Sequence, residues 1–98
     1  MYGAPVGSIL KTASGELFAA GDKVRVFNMH VISGGTATVI SLSNGGSGGT
    51  IWIKETGTIS TGKTFDYGIN GHLFTNGCYL TVDGNTTSVL ISCRKELA

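Results

Sequence analysis

The segment GTISTGKT, residues 57–64, matches G-x-x-x-x-G-K-[ST], the pattern of a loop whose backbone N–H groups cradle nucleotide phosphates. That chemistry needs a strand before the loop and a helix after it, because the helix start supplies N–H groups and the positive end of a dipole. TIWIKET supplies the strand. After Lys63 comes TFDYGINGHLFTNG, with Gly68, Gly71 and Gly77 among aromatic and β-branched residues, a composition that disfavours a helix. Asp83 falls in a turn, so no later strand ends in an Asp placed to hold magnesium. A chain of 98 residues also has no room for several strand–helix crossovers. The match therefore reads as a Gly/Thr-rich hairpin connection with Lys63 exposed, and no cofactor is expected.

Other reactive residue types are dispersed. His30 and His72 are isolated, with neither a His pair nor a close Cys pair at ligand spacing, so no metal is expected. Glu16, Asp22, Glu55, Asp66, Asp83 and Glu96 fall in or beside turns or on outer faces without a paired arrangement. No G-x-S-x-G elbow occurs, so no catalytic residue is assigned and the chain is expected not to be an enzyme. Cys78 and Cys93 share one face of a strand pair; two buried free thiols are expected, a strained cross-strand disulfide being the alternative. Trp52, Tyr67 and Tyr79, one per strand, are available to stack a sugar, which keeps a carbohydrate-binding module among the readings.

The elements that would position these residues read as strands. Gly is 16 of 98 residues, and the apolar set leans to Val and Ile, a mixture that favours strands joined by glycine turns. Residues 8–12 suit a first strand, and residues 17–20 a second or a bend. In KVRVFNMHVIS (23–33) Val24 and Val26 suit one face, then Phe27, Met29 and Val31 the other, and a bulge near Val26–Phe27 reconciles them. Folding 34–43 onto 48–56 around a glycine loop sets Leu42 opposite Ile51 and Ile40 opposite Ile53. All four then point inward, with Val39, Ser41, Trp52 and Lys54 outward. KTFDYG (63–68) is a short strand with Phe65 and Tyr67 on one face. Residues 76–93 read as a hairpin turning at Asp83–Thr87, with Cys78, Leu80, Val82, Val89, Ile91 and Cys93 inward. The expectation is an all-β chain: an antiparallel, jelly-roll-like β-sandwich of seven to eight short strands with no substantial helix. Residues 1–8 form a flexible arm and residues 9–98 a single domain.

Charge and hydropathy exclude other classes. The formal net charge is +1 with the basic residues scattered, so no nucleic-acid partner is expected. No run approaches a membrane span, so no membrane partner is expected, and residues 1–5 lack the pattern of a secretory signal. Charged residues make up 13% of the chain, about half the usual ~25%. Such a thin charged coat suits a surface covered by copies of itself or by another protein.

Two stretches carry a resemblance. Gly62–Lys63–Thr64–Phe65–Asp66–Tyr67–Gly68 fits G-K-x-F-D-[FY]-G, and Phe74–Thr75–Asn76–Gly77–Cys78–Tyr79–Leu80 fits F-x-N-G-x-Y-[LV]. With the final apolar strand they make residues 57–92, about a third of the chain, similar to the C-terminal half of short tailed-phage virion proteins. The resemblance implies a small β-sandwich that decorates or cements a capsid, often as a homotrimer, or another repeated virion part such as a tail or fibre component. Its partners would be copies of itself and the major capsid protein or another virion protein, with assembly in the host cytoplasm and residence in the virion. Tyr2 and Pro5 in the arm, with Trp52 and Tyr67, are the expected contact residues.

Overall fold

The computed structural model describes residues 7–34, 38–57 and 62–96. Among these residues there are nine strands and no helix: β1 (Gly7–Lys11), β2 (Gly15–Phe18), β3 (Lys23–Ser33), β4 (Thr38–Asn44), β5 (Thr50–Gly57), β6 (Lys63–Asp66), β7 (His72–Phe74), β8 (Cys78–Val82) and β9 (Thr86–Glu96). They form two antiparallel sheets packed as a sandwich. The five-stranded sheet runs β1-β9-β3-β6, with β7 also on β3; the four-stranded sheet runs β2-β8-β4-β5. The expected fold class holds, with one strand more than the seven to eight expected. His72–Phe74 is the addition: β6 and β7 lie on the same side of β3, β6 opposite Asn28–Val31 and β7 opposite Val24–Val26. Gly7 and Ser8, assigned to the arm by the sequence, pair with Cys93 and Ser92 in β1; residues 1–6 lie outside the described residues.

The phase change in β3 is a bulge, as its alternation demands. The register against β9 slips between Val26 and Asn28, leaving Phe27 as the extra residue. Val24 and Val26 before the slip, and Met29 and Val31 after it, all enter the core. Phe27 does not join them. It is half-buried beneath the Arg94 guanidinium, 5.4 Å from its ring centroid, and Arg94 pairs with Arg25, which alternates with buried Val24 and Val26.

The β4–β5 hairpin is displaced by two residues from the expected register. Leu42 pairs with Ile53 and Ile40 with Glu55, and a second bulge sits between Leu42 and Ser43, opposite Trp52. The bulge exchanges two roles. Ile51, expected inside, pairs with Ser43 and is 52% exposed. Trp52, expected outside, reaches the opposite sheet, its ring centroid 5.6 Å from Phe74 and 5.8 Å from His72. Ser41, also expected outside, is buried with Ser43. Both are small residues on the inner strand β4, between Tyr79 and Thr81 on β8 and Ile51 and Lys54 on β5.

Residues 76–93 are not a hairpin. β8 pairs with β2 and β4 in one sheet, while β9 pairs with β1 and β3 in the other. The connection crosses the sandwich, and alternation cannot tell a crossing from a hairpin because both turn the same residues inward. Asp83 anchors the crossing. Its carboxylate accepts from the Thr38 hydroxyl (2.8 Å), the Val39 N–H (2.9 Å) and the Asn85 N–H (3.0 Å). Donation from Thr38 first, then from the two backbone N–H groups, holds this carboxyl below the usual range.

Between the sheets lies one core: Val24, Val26, Met29, Val31, Phe74, Val89, Ile91 and Cys93 from the larger sheet meet Ile40, Leu42, Ile53, Cys78 and Leu80 from the smaller. The F-x-N-G stretch supplies one of its largest side chains and a close approach to the Phe18–Ala19 backbone. Phe74 is fully buried, and the Asn76 side chain accepts from the Gly21 N–H at 2.7 Å. Gly77 has φ 77°, and a Cβ there would lie 2.6 Å from the carbonyl oxygens of Phe18 and Ala19, so only glycine fits.

Candidate functional site

The phosphate-loop match is geometrically disarmed where it is described. Gly57 ends β5 and Lys63 opens β6, so the residues after Gly62 are a strand, without the helix start that would receive a phosphate. Thr58–Thr61 lie outside the described residues. The Lys63 ammonium sits 5.1 Å from the Phe65 ring centroid, and the Thr64 hydroxyl shares a 2.9 Å hydrogen bond with His30 Nδ1. Gly62, at φ 90°, packs against that imidazole: a Cβ there would lie 2.8 Å from His30 Nε2. Gly62, Lys63 and Thr64 thus lie against β3, while Gly57 pairs with Thr38 of β4.

The thiols are equally quiet. Cys78 and Cys93 are free and buried, and face the core from opposite sheets rather than from one hairpin. Burial pushes the Cys78 thiol up to about 12, with the neighbouring Cys93 adding to the shift, and burial pushes Cys93 to about 11. At neutral pH neither offers a thiolate. Among the described residues no group of three His, Cys, Asp or Glu side chains is placed to hold a metal ion.

Trp52 and Tyr67 lie on one long side of the sandwich, where β5 approaches β6 and β7. Trp52 leans on His72 and Phe74 and remains 38% exposed. Tyr67 packs against the core and donates its hydroxyl to Glu55 Oε2 at 2.9 Å. Burial first, then the neighbouring carboxylate, raises the Tyr67 phenol well above the usual range. Tyr79 belongs elsewhere, on the outer face of the smaller sheet, so the three aromatics do not make one sugar platform. Tyr2 and Pro5 lie outside the described residues.

The outer face of the larger sheet carries exposed apolar side chains. Register sets Leu10, Leu90, His30 and Thr64 in one row across β1, β9, β3 and β6, and Ser8, Ser92, Asn28 and Asp66 in the next. Leu10 is 62% and Leu90 39% exposed, side by side. In these two rows the only acidic or basic side chains are His30 and, at the β6 end, Asp66. Beyond the β3 bulge the face changes character: Glu96 bridges Arg25 and Arg94, the second at 3.0 Å. Between the two zones an open cleft of about 610 Å³ is bordered by Phe27, Asn28, Asp66, Gly68 and Ile69. Ile69 is 93% exposed at its rim. Asp66 is already engaged by the Gly68 N–H at 2.9 Å. The outer face of the smaller sheet is more interrupted, with Glu16 and Lys54 set among Tyr79, Ile51 and Val39.

Such a face can pack and form hydrogen bonds, as the Thr64 hydroxyl does with His30. Sequence reasoning missed Leu10, Leu90 and Ile69. The signal for the two leucines is present in SILK and SVLIS, where each leucine is an apolar residue out of phase with its inward neighbours Ile9, Val89 and Ile91. No protein-family model matches this chain, and none of the curated proteins matches it either.

Proposed function

We propose that the chain is a non-enzymatic structural protein of a phage virion, a capsid decoration or cement protein that acts through contacts with copies of itself and with the shell. The observation that carries this reading is the Leu10–Leu90 pair on an outer face whose two central rows are nearly free of charge. An exposed apolar row on a thinly charged β-sandwich favours covering by protein. Burying it contributes about 25 cal/mol per Å² of apolar area, of which ordering costs leave part. Many copies on a lattice turn modest contacts into lasting attachment. The resemblance carried by residues 62–68 and 74–80 points the same way and favours a trimer. Those residues serve the fold, through Phe65 and Phe74 in or against the core and through Gly62 and Gly77, each at positive φ with a neighbour too close for a Cβ.

Quantitative mass spectrometry of particles purified from the phage that encodes the chain tests the reading. A copy number comparable with that of the major shell subunit is expected. A handful of copies per particle moves the protein to the tail or a fibre, and absence from the particle overturns the virion role.

A further inference from the structure

Among the described residues the two sheets end in four edges, and three of them are blunted. β5 carries the bulge at Trp52 and the charges Lys54 and Glu55. The β6–β7 edge is interrupted between Asp66 and His72, where the Tyr67 N–H returns to the Phe27 carbonyl at 2.9 Å. β2 has four residues and a register shift between Glu16 and Phe18. Bulges, breaks, charges and short length are the devices by which sheets avoid joining other sheets. β1 lacks most of them. Its five residues pair with β9 in unbroken register from Gly7↔Cys93 to Lys11↔Val89, without proline. Its other side has no strand beside it among the described residues. Its one charge, Lys11, stands at the last position with its ammonium near Gly15 of the opposite sheet, where an added Cβ would lie 3.3 Å from Nζ.

We infer that β1 is a self-pairing edge: two copies of the chain join β1 to β1 about a two-fold axis, continuing the larger sheet from one subunit into the next. The segment GSILK is self-complementary in one antiparallel register. Centred on Ile9, it opposes Gly7 to Lys11 of the second copy, Ser8 to Leu10, and Ile9 to Ile9. This register pairs all five residues and keeps inward and outward residues on matching faces. It also sets each lysine against a glycine and keeps the two lysines at opposite ends. Leu10, exposed on the rim, gains its counterpart as a diagonal neighbour. The Leu10–Leu90 row of one copy then continues into the Ser8–Ser92 row of the other, so the joint extends the face described above. A two-fold contact gives a dimer by itself and links trimers in pairs where the three-fold contact is made elsewhere.

Sedimentation velocity over a concentration series tests the pairing. The wild-type protein is expected to associate as concentration rises. L10K, at an exposed position, is expected to weaken association by roughly tenfold to a hundredfold, through lost leucine burial and diagonal like charges. The double variant S8E/L10K opposes a carboxylate and an ammonium twice in this register, so it is expected to restore association at low salt and lose it at high salt. Far-UV circular dichroism checks that each variant folds; should L10K unfold, S8K, exposed on the same face of β1, takes its place. A wild-type protein that stays monomeric, an association indifferent to L10K, or an S8E/L10K variant that fails to recover overturns the pairing. A trimer insensitive to L10K overturns the pairing and leaves the virion proposal standing. A β1-paired dimer missing from particles does the reverse.

Discussion

The two long sides of the sandwich are finished in different ways. On the β5 side the chain closes itself: a bulge swings Trp52 across to His72 and Phe74, and the Tyr67 hydroxyl reaches Glu55. On the β1 side a regular five-residue strand ends the larger sheet, with Leu10 more than half exposed beside it. One side uses aromatics, a charge and a bulge to seal the gap between sheets. The other keeps its backbone regular and its outer row apolar. The lesson is that edges of one fold can divide labour: one is sealed within the subunit, and the unprotected one is the edge proposed to meet a second copy.

The comparison breaks most readily at the sealed side. Phe74→Ala removes a fully buried ring from beneath Trp52 and should cost about 3–5 kcal/mol of stability, read by denaturant unfolding. If it costs no more than a surface change, the seam is not the structural side. Tyr67→Phe deletes one hydrogen bond to a carboxylate, an expected loss of about 1–2 kcal/mol. The same residue gives the seam an alkaline signature. Its folded phenol is raised, so the stability it contributes is complete below the ordinary tyrosine value of ~10 and is lost as pH climbs beyond it. Unfolding midpoints should therefore fall in strong alkali for the wild type and fall less for Tyr67→Phe. The smallest effect belongs to the open side. L10K should change the stability of the isolated subunit by within about 0.5 kcal/mol while it disrupts association. A large loss of subunit stability would mean that β1 is a structural edge like β5.

Much of the fold was legible in the sequence, and the limits have physical causes. The β3 bulge could be placed because the apolar phase changes at Val26–Phe27, and in a long strand a phase change rarely arises in any other way. The β5 bulge could not, because Ile51 and Ile53 alternate as a regular strand would. The glycine loop at residues 45–49 sets the register instead, and Trp52 became the extra residue. Inward positions on β8 and β9 were readable, but their partners were not: alternation records which way a side chain faces and says nothing about which sheet lies beside it. β7 went unseen because three residues carry no periodicity. The outer apolar row was hidden for a similar reason. Leu10 and Leu90 come together only once β1 and β9 pair, some eighty positions apart.

Amide hydrogen exchange, measured residue by residue at low and high protein concentration, puts the contrast between the two sides to its most direct test. If β1 is the meeting edge, the amides of residues 7–11 that point away from β9 become more protected as concentration rises, while those of β5 keep the same protection throughout. Concentration-independent exchange in β1, or a gain of protection confined to β5, contradicts it.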